Sequence, residues 1–160
     1  MITQSLLKDL FIYEDGQLIR KSNGKSAVIP AGKKRYERVS IQGKAYDLHR
    51  MIYLWNHGVL PDTIDHIDGN RENNKIENLR AVTQQQNCLN SKHRVTSTSP
   101  YKNVYLQPPA KNKDWNRNWV VSLMVEKKRK YIGSFKDLEL ADLAATEARD
   151  LYHGQYARHF

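Results

Sequence analysis

The chain has 160 residues, a formal net charge of +9 and one cysteine, Cys88. That length suits one ordinary domain or two small ones, and a lone cysteine excludes an intramolecular disulfide and a Cys-rich structural zinc site. The basic balance favours an anionic partner, with nucleic acid the leading candidate.

Residues 1–92 hold 14 Lys/Arg against 10 Asp/Glu, and residues 93–160 hold 12 against 7. Both halves are basic, as expected of two modules on one polyanion. The start, Met1-Ile2-Thr3-Gln4-Ser5, lacks the basic, then apolar pattern of a signal peptide. No apolar run approaches the roughly 20 residues of a membrane span. The expected setting is a reduced cytoplasm, with no membrane partner.

Residues 8–46 read as short strands and turns. Leu10 to Tyr13 and Gln17 to Arg20 flank Asp15-Gly16, a hairpin signal. Tyr36 to Ile41 alternates and meets a second turn at Gln42-Gly43-Lys44. Asp47 is placed as a helix N-cap, with Leu48, Met51, Ile52 and Trp55 at helical spacing and Gly58 as a left-handed cap.

Residues 63–67 alternate like a strand, and Asp68-Gly69-Asn70 turns it. After a polar loop at 70–77, Asn78 to Val82 makes a second strand. Thr83 and Gln86 form a capping-box pattern for a helix over about 84–92. The Ser/Thr-rich segment from His93 to Pro100 reads as a linker. Beyond it, Tyr101 to Gln107, Trp119 to Val125 and Arg129 to Phe135 read as three antiparallel strands. Leu138 to Tyr152 reads as a helix whose apolar stripe is Leu140, Ala141, Ala144, Ala145, Ala148 and Leu151.

The densest chemistry lies between Asp65 and Asn87: Asp65-His66-Ile67-Asp68-Gly69-Asn70, then Asn73-Asn74, Glu77-Asn78-Leu79-Arg80 and Gln86-Asn87. A carboxylate and amide oxygens suit a hard divalent cation, and an imidazole suits the activation of water near neutral pH. Asp65 and His66 point to opposite sides of a flat strand, so a twist or bulge is expected to bring them together. Asn73 and Asn74 are read as satisfying loop backbone. His49 and Arg50 read as structural helix residues or phosphate contacts, and His57, His93, His153 and His159 as surface residues.

These motifs, with Asp47-Leu48-His49-Arg50 ahead of them, resemble the homing-type HNH (ββα-metal) endonucleases over about residues 36–92. The resemblance implies that Asp65 and Asn87 bind one divalent metal, that His66 is the general base and that Asn78 orients His66. Asn at position 87, where many relatives have His, favours Mg²⁺ or Mn²⁺ over tight zinc binding.

Residues 99–154 resemble an AP2 DNA-binding domain. The carrying residues are Ser99-Pro100-Tyr101-Lys102-Asn103-Val104, Trp119 to Leu123, Tyr131-Ile132-Gly133-Ser134-Phe135, Ala141, Ala144-Ala145 and Gly154. The resemblance implies that a sheet enters the major groove, with Lys102, Tyr105, Gln107, Ser122, Met124, Arg129 and Tyr131 facing DNA. Arg50 is a further candidate contact.

The expected fold is α+β. An HNH nuclease domain spans 1–93, with small strands and a helix ahead of its motif. A linker at 94–100 follows, then an AP2-like domain at 101–160. The expected function is metal-dependent hydrolysis of phosphodiesters in double-stranded DNA by a homing or phage-type endonuclease, with no small-molecule cofactor. The alternative is a non-catalytic DNA-binding regulator with a relic HNH fold. Monomer and dimer stay open.

Overall fold

The computed structural model describes residues 2–32, 36–90, 98–107 and 118–159. They form two compact units, Met1–Asn87 and Cys88–Phe160. Of the segment expected as a linker, residues 94–97 lie outside the described residues.

The first unit opens with a helix absent from the sequence reading, α1 (Gln4–Leu10). Thr3 caps it, its hydroxyl accepting from Leu6 N. Only Leu7 of α1 is buried, so seven residues carry too few apolar positions to show a helical period. The Gln4 side chain donates to the Trp55 carbonyl at 2.9 Å.

Strands β1 (Phe11–Glu14) and β2 (Gln17–Arg20) pair antiparallel around Asp15-Gly16. Both turn residues have positive φ, 44° and 83°, as a type I′ hairpin requires. A three-stranded sheet follows: β3 (Val28–Ile29), β4 (Arg38–Ile41) and β5 (Lys44–Asp47). Its β4–β5 turn repeats the device at Gln42-Gly43.

Helix α2 (Leu48–His57) ends at the expected left-handed Gly58, φ 73°. Asp47 is its N-cap, but no side-chain cap bond forms; the carboxylate pairs instead with Arg38, 3.6 Å away. Leu48, Met51, Ile52 and Leu54 pack with Leu7, Phe11, Leu18, Val39, Ile41, Ile64 and Leu79 as one core. Burial of that apolar surface is the main force gathering three small sheets and two helices into one unit.

Against that core lie β6 (Thr63–His66) and β7 (Leu79–Val82), an antiparallel pair. A short 3-10 turn, Ile76–Asn78, precedes β7, so Asn78 ends the loop rather than starting the strand. Helix α3 (Gln84–Leu89) begins with a reciprocal capping box: Thr83 N donates to Gln86 Oε1 at 2.8 Å and Gln86 N to Thr83 Oγ1 at 3.2 Å. The order β6–β7–α3 is thus strand, strand, helix.

The second unit has β8 (Val104–Leu106), β9 (Trp119–Val125) and β10 (Lys128–Phe135) in the sheet order β10-β9-β8. Strand β8 is shorter than expected because Asn103, φ 69°, turns the chain just ahead of it. Helix α4 (Leu138–His153) backs the sheet, Ala141 and Ala145 packing on Val104 and Val121. Small residues let the helix lie close. Leu140 and Leu151, expected on that stripe, are 58% and 74% exposed. Both sit about 80–100° of helical turn to one side of Ala141. His153, expected at the surface, is buried, its Nε2 2.9 Å from the Met124 carbonyl oxygen.

Candidate active site

Two-residue periodicity splits the Asp65-His66 pair. Asp65 stands opposite Arg80 and His66 opposite Leu79, with no bulge in the ladder. The expected bulge is therefore absent, and the two side chains meet different partners, as alternation on a strand dictates.

Arg80 donates to Asp65 Oδ2 from Nε at 3.0 Å and from a terminal nitrogen at 2.8 Å. The pair is well shielded, with side-chain exposures of 17% and 8%. A charge-assisted double contact in such surroundings fixes the carboxylate firmly.

His66 is buried among polar and aromatic groups. Its Nε2 lies 3.1 Å from Asn74 Oδ1, and the Asn74 amide nitrogen donates to Glu37 Oε2 at 2.9 Å. The Tyr36 ring stacks within 13° of the imidazole plane, 6.0 Å away, and the His49 ring lies 5.2 Å away at 56°. Arg71 holds its guanidinium 5.0 Å from the Tyr36 ring centre, within range of a cation–π attraction. Burial first, then the neighbouring His66 and Arg50, push the His49 pKa down to about 3. His49 is thus a neutral structural ring beside the site.

Asn74 is 3% exposed. From sequence, Asn74 is expected to satisfy loop backbone, and Asn78 to orient His66 by bonding across the loop. The structure places Asn74 on the imidazole, while Asn78 ties the preceding loop together. Asn78 Oδ1 accepts from Asp68 N, and Asn78 Nδ2 donates to Asp68 Oδ1 and to the Asn73 carbonyl. Burial opposes the Asp68 charge, but donors from Asn73, Asn70 and Asn78 outweigh it and hold the carboxyl below its usual range. The turn expected at Asp68-Gly69-Asn70 is present, Asn70 N donating to Asp68 Oδ1 at 2.7 Å.

The β1–β2 hairpin props this loop from outside. Tyr13 Oη accepts from Ile76 N at 3.0 Å, and Lys75 pairs with Asp15 at 2.7 Å. Gly16 lies so close that a Cβ there would sit 3.0 Å from Lys75 N and 3.1 Å from the Asn74 carbonyl carbon. From sequence, Tyr36 and Glu37 carry no signal for the site, Gly16 signals only a hairpin and Asn74 only a loop-backbone role. Only the doubled Asn73-Asn74 in a polar loop hinted at one of them.

Asn87 lies in α3, half-buried, its N–H donating to the Thr83 carbonyl at 3.0 Å. Among the described residues no three His, Cys, Asp or Glu side chains cluster to hold a metal. A cation here would rest on the Asp65 carboxylate, an Asn87 amide oxygen, water and phosphate. That hard-oxygen set fits Mg²⁺, which keeps several waters and takes one or two protein carboxylates. It would share Asp65 with the Arg80 guanidinium.

In the second unit, alternation puts Tyr105, Ser122, Met124, Arg129 and Tyr131 on the sheet face away from α4. Arg129 stands opposite Met124, and Tyr131 opposite Ser122. Tyr131 is 62% exposed, whereas Ser122 is buried. Arg129 lies 5.6 Å from the Tyr105 ring centre. Gln107 is exposed at the end of β8.

Lys102 turns elsewhere, donating to the Leu89 carbonyl at 2.9 Å. Burial, with Arg149 and Arg158 nearby, lowers its pKa to about 8. Arg149 is fully buried and donates to the Lys102 carbonyl at 2.6 Å and to Thr146 Oγ1 at 2.8 Å. In the first unit, Arg50 donates to the Asp62 carbonyl at 3.0 Å, bracing the approach to β6.

The HNH endonuclease family profile matches residues 46–89, the span from β5 through α3. DNA endonuclease I-HmuI of Bacillus phage SP01 is 31% identical over 90 residues, covering 51% of this chain. The chain spans 50% of that relative's length. Protein 3.8 of Escherichia phage T7 is 31% identical over 116 residues, covering 68% of this chain and 88% of the relative. No solved structure matches the chain. No described helix is long and apolar enough to cross a membrane. The chain therefore carries an HNH endonuclease domain and belongs to the same family as Protein 3.8 of phage T7.

Proposed function

We propose that the protein is a phage-type DNA endonuclease that hydrolyses phosphodiester bonds with a divalent metal. The observation that carries this reading is the buried His66 imidazole, held by Asn74 on the strand–strand–helix unit that the HNH profile covers. A general base must be oriented toward its water, and a histidine clamped on one ring nitrogen meets that condition.

His66 takes a proton from the attacking water. Asp65 and Asn87 hold the metal, Mg²⁺ or Mn²⁺, which supplies charge neutralisation at the scissile phosphate when bound. Arg80 keeps the Asp65 carboxylate in place before the substrate arrives. Asn78 acts one step removed, by fixing the loop on which Asn74 sits.

The second unit is AP2-like in this reading, a DNA-binding module whose sheet face carries Tyr105, Gln107, Ser122, Arg129 and Tyr131. Its three antiparallel strands backed by one helix support the likeness. The inward turn of Lys102 argues for a supporting part in the sheet rather than a base contact. Arg50 likewise serves the fold first.

A DNA-binding regulator without catalysis is the second reading. It is favoured by the guanidinium already seated on Asp65. Incubation with supercoiled plasmid separates the two. Cleavage or nicking that needs Mg²⁺ and disappears in His66→Ala supports the nuclease. DNA binding with intact plasmid in both proteins overturns it.

A further inference from the structure

Two acceptors face the same end of the Asn74 side chain. The Glu37 carboxylate lies 2.9 Å from its Nδ2, and the Glu72 carbonyl 3.5 Å. Neither an ionised carboxylate nor a carbonyl can donate, so that end of the amide must be the NH₂ group. The opposite end, which faces His66 Nε2 at 3.1 Å, is therefore the carbonyl oxygen. An oxygen accepts only, so the imidazole must present N–H there.

The geometry points to Glu37 as a positioning residue that, through Asn74, selects the Nε2–H tautomer of His66 and so makes Nδ1 the nitrogen that acts as base. A neutral imidazole has one N–H and one lone pair, and fixing the proton on Nε2 leaves the lone pair on Nδ1. Asn74 is 3% and His66 4% exposed, so water competes little for these bonds. The relay joins three segments distant in sequence, the residue just ahead of β4, the loop before β7 and the end of β6. It deepens the nuclease reading and rests on it only for the word base; the tautomer itself stands without any activity.

The test is a long-range ¹H–¹⁵N histidine spectrum of the full chain, recorded without metal or DNA at a pH where the imidazole is neutral. His66 is expected to show a protonated Nε2 and an unprotonated Nδ1. Glu37→Gln, which can still accept from Asn74, keeps that pattern. Glu37→Lys puts a donor against Asn74, so the amide turns over and the proton moves to Nδ1. A wild-type His66 protonated on Nδ1 overturns the inference without need of any variant. An unchanged tautomer in folded Glu37→Lys overturns it as well. On plasmid, Glu37→Lys is expected to lose about 10² or more in kcat with KM little changed. If His66→Ala leaves cleavage unaffected while the spectrum is as expected, the nuclease reading fails and the relay stands.

Discussion

Arg80 places two nitrogens on a single carboxylate oxygen of Asp65, at 3.0 and 2.8 Å, across the β6–β7 ladder. Removing one member of a shielded ion pair strands the other. Arg80→Leu is expected to destabilise the protein by about 3 kcal/mol, measured by urea unfolding. A loss below about 1 kcal/mol would mean that Asp65 finds other partners at no cost.

Asp65→Ala separates chemistry from folding. Cleavage should vanish while DNA affinity in a binding assay stays within a few-fold of wild type. A lowered melting temperature is expected from the stranded Arg80; loss of DNA affinity as well as cleavage would assign Asp65 to the fold and not to a metal.

His49 predicts the acid limb of stability. Its folded pKa of about 3 lies below the ordinary 6.5. Between these values the unfolded chain binds the extra proton, so stability is full above about 6.5 and falls with acidification toward 3. The slope reaches at most about 1.4 kcal/mol per pH unit. Melting temperatures across that range should drop more steeply for wild type than for His49→Phe. Equal slopes would show that other groups govern the acid limb.

The glycines of two like hairpins give a paired test. A Cβ on Gly16 meets the backbone of Asn74 and Lys75, whereas one on Gly43 meets nothing within 4 Å. Both have positive φ, 83° and 77°, which costs a non-glycine residue about 1–2 kcal/mol. Gly43→Ala should lose only that much and cut plasmid normally. Gly16→Ala should lose more and also slow cleavage, because it shifts the loop carrying Asn74. Indistinguishable rates in the two variants would remove the hairpin from the support of the site.

Arg129→Ala tests the second unit. If Arg129 meets a phosphate, affinity for duplex DNA should fall, and the slope of log affinity against log salt should flatten by about 1. An unchanged slope at reduced affinity would point to packing on Tyr105 instead.

Local chemistry explains what was legible in the sequence. The hairpin at Asp15-Gly16, the Gly58 cap, the Thr83/Gln86 capping box and the strand–strand–helix order are written in residues within a few positions of one another. Each follows from a backbone preference or a short-range bond that neighbouring residues settle alone. The residue types of the proposed site, Asp65, His66, Asn78 and Asn87, are equally visible in the sequence. Their partners are not. Asn74 and Asn78 are the same residue type in the same polar loop, and which one meets the imidazole depends on how the loop closes between Tyr13, Gly16 and Asp68. Glu37 is 37 positions from Asn74, and Arg149 is 47 from Lys102; no periodicity reports a pairing at that range. The sequence by itself determined which groups could do the chemistry. Packing alone decided which of them are buried, and burial decides which polar groups must find partners, because a desolvated donor or acceptor left unpaired costs more than any local preference can return.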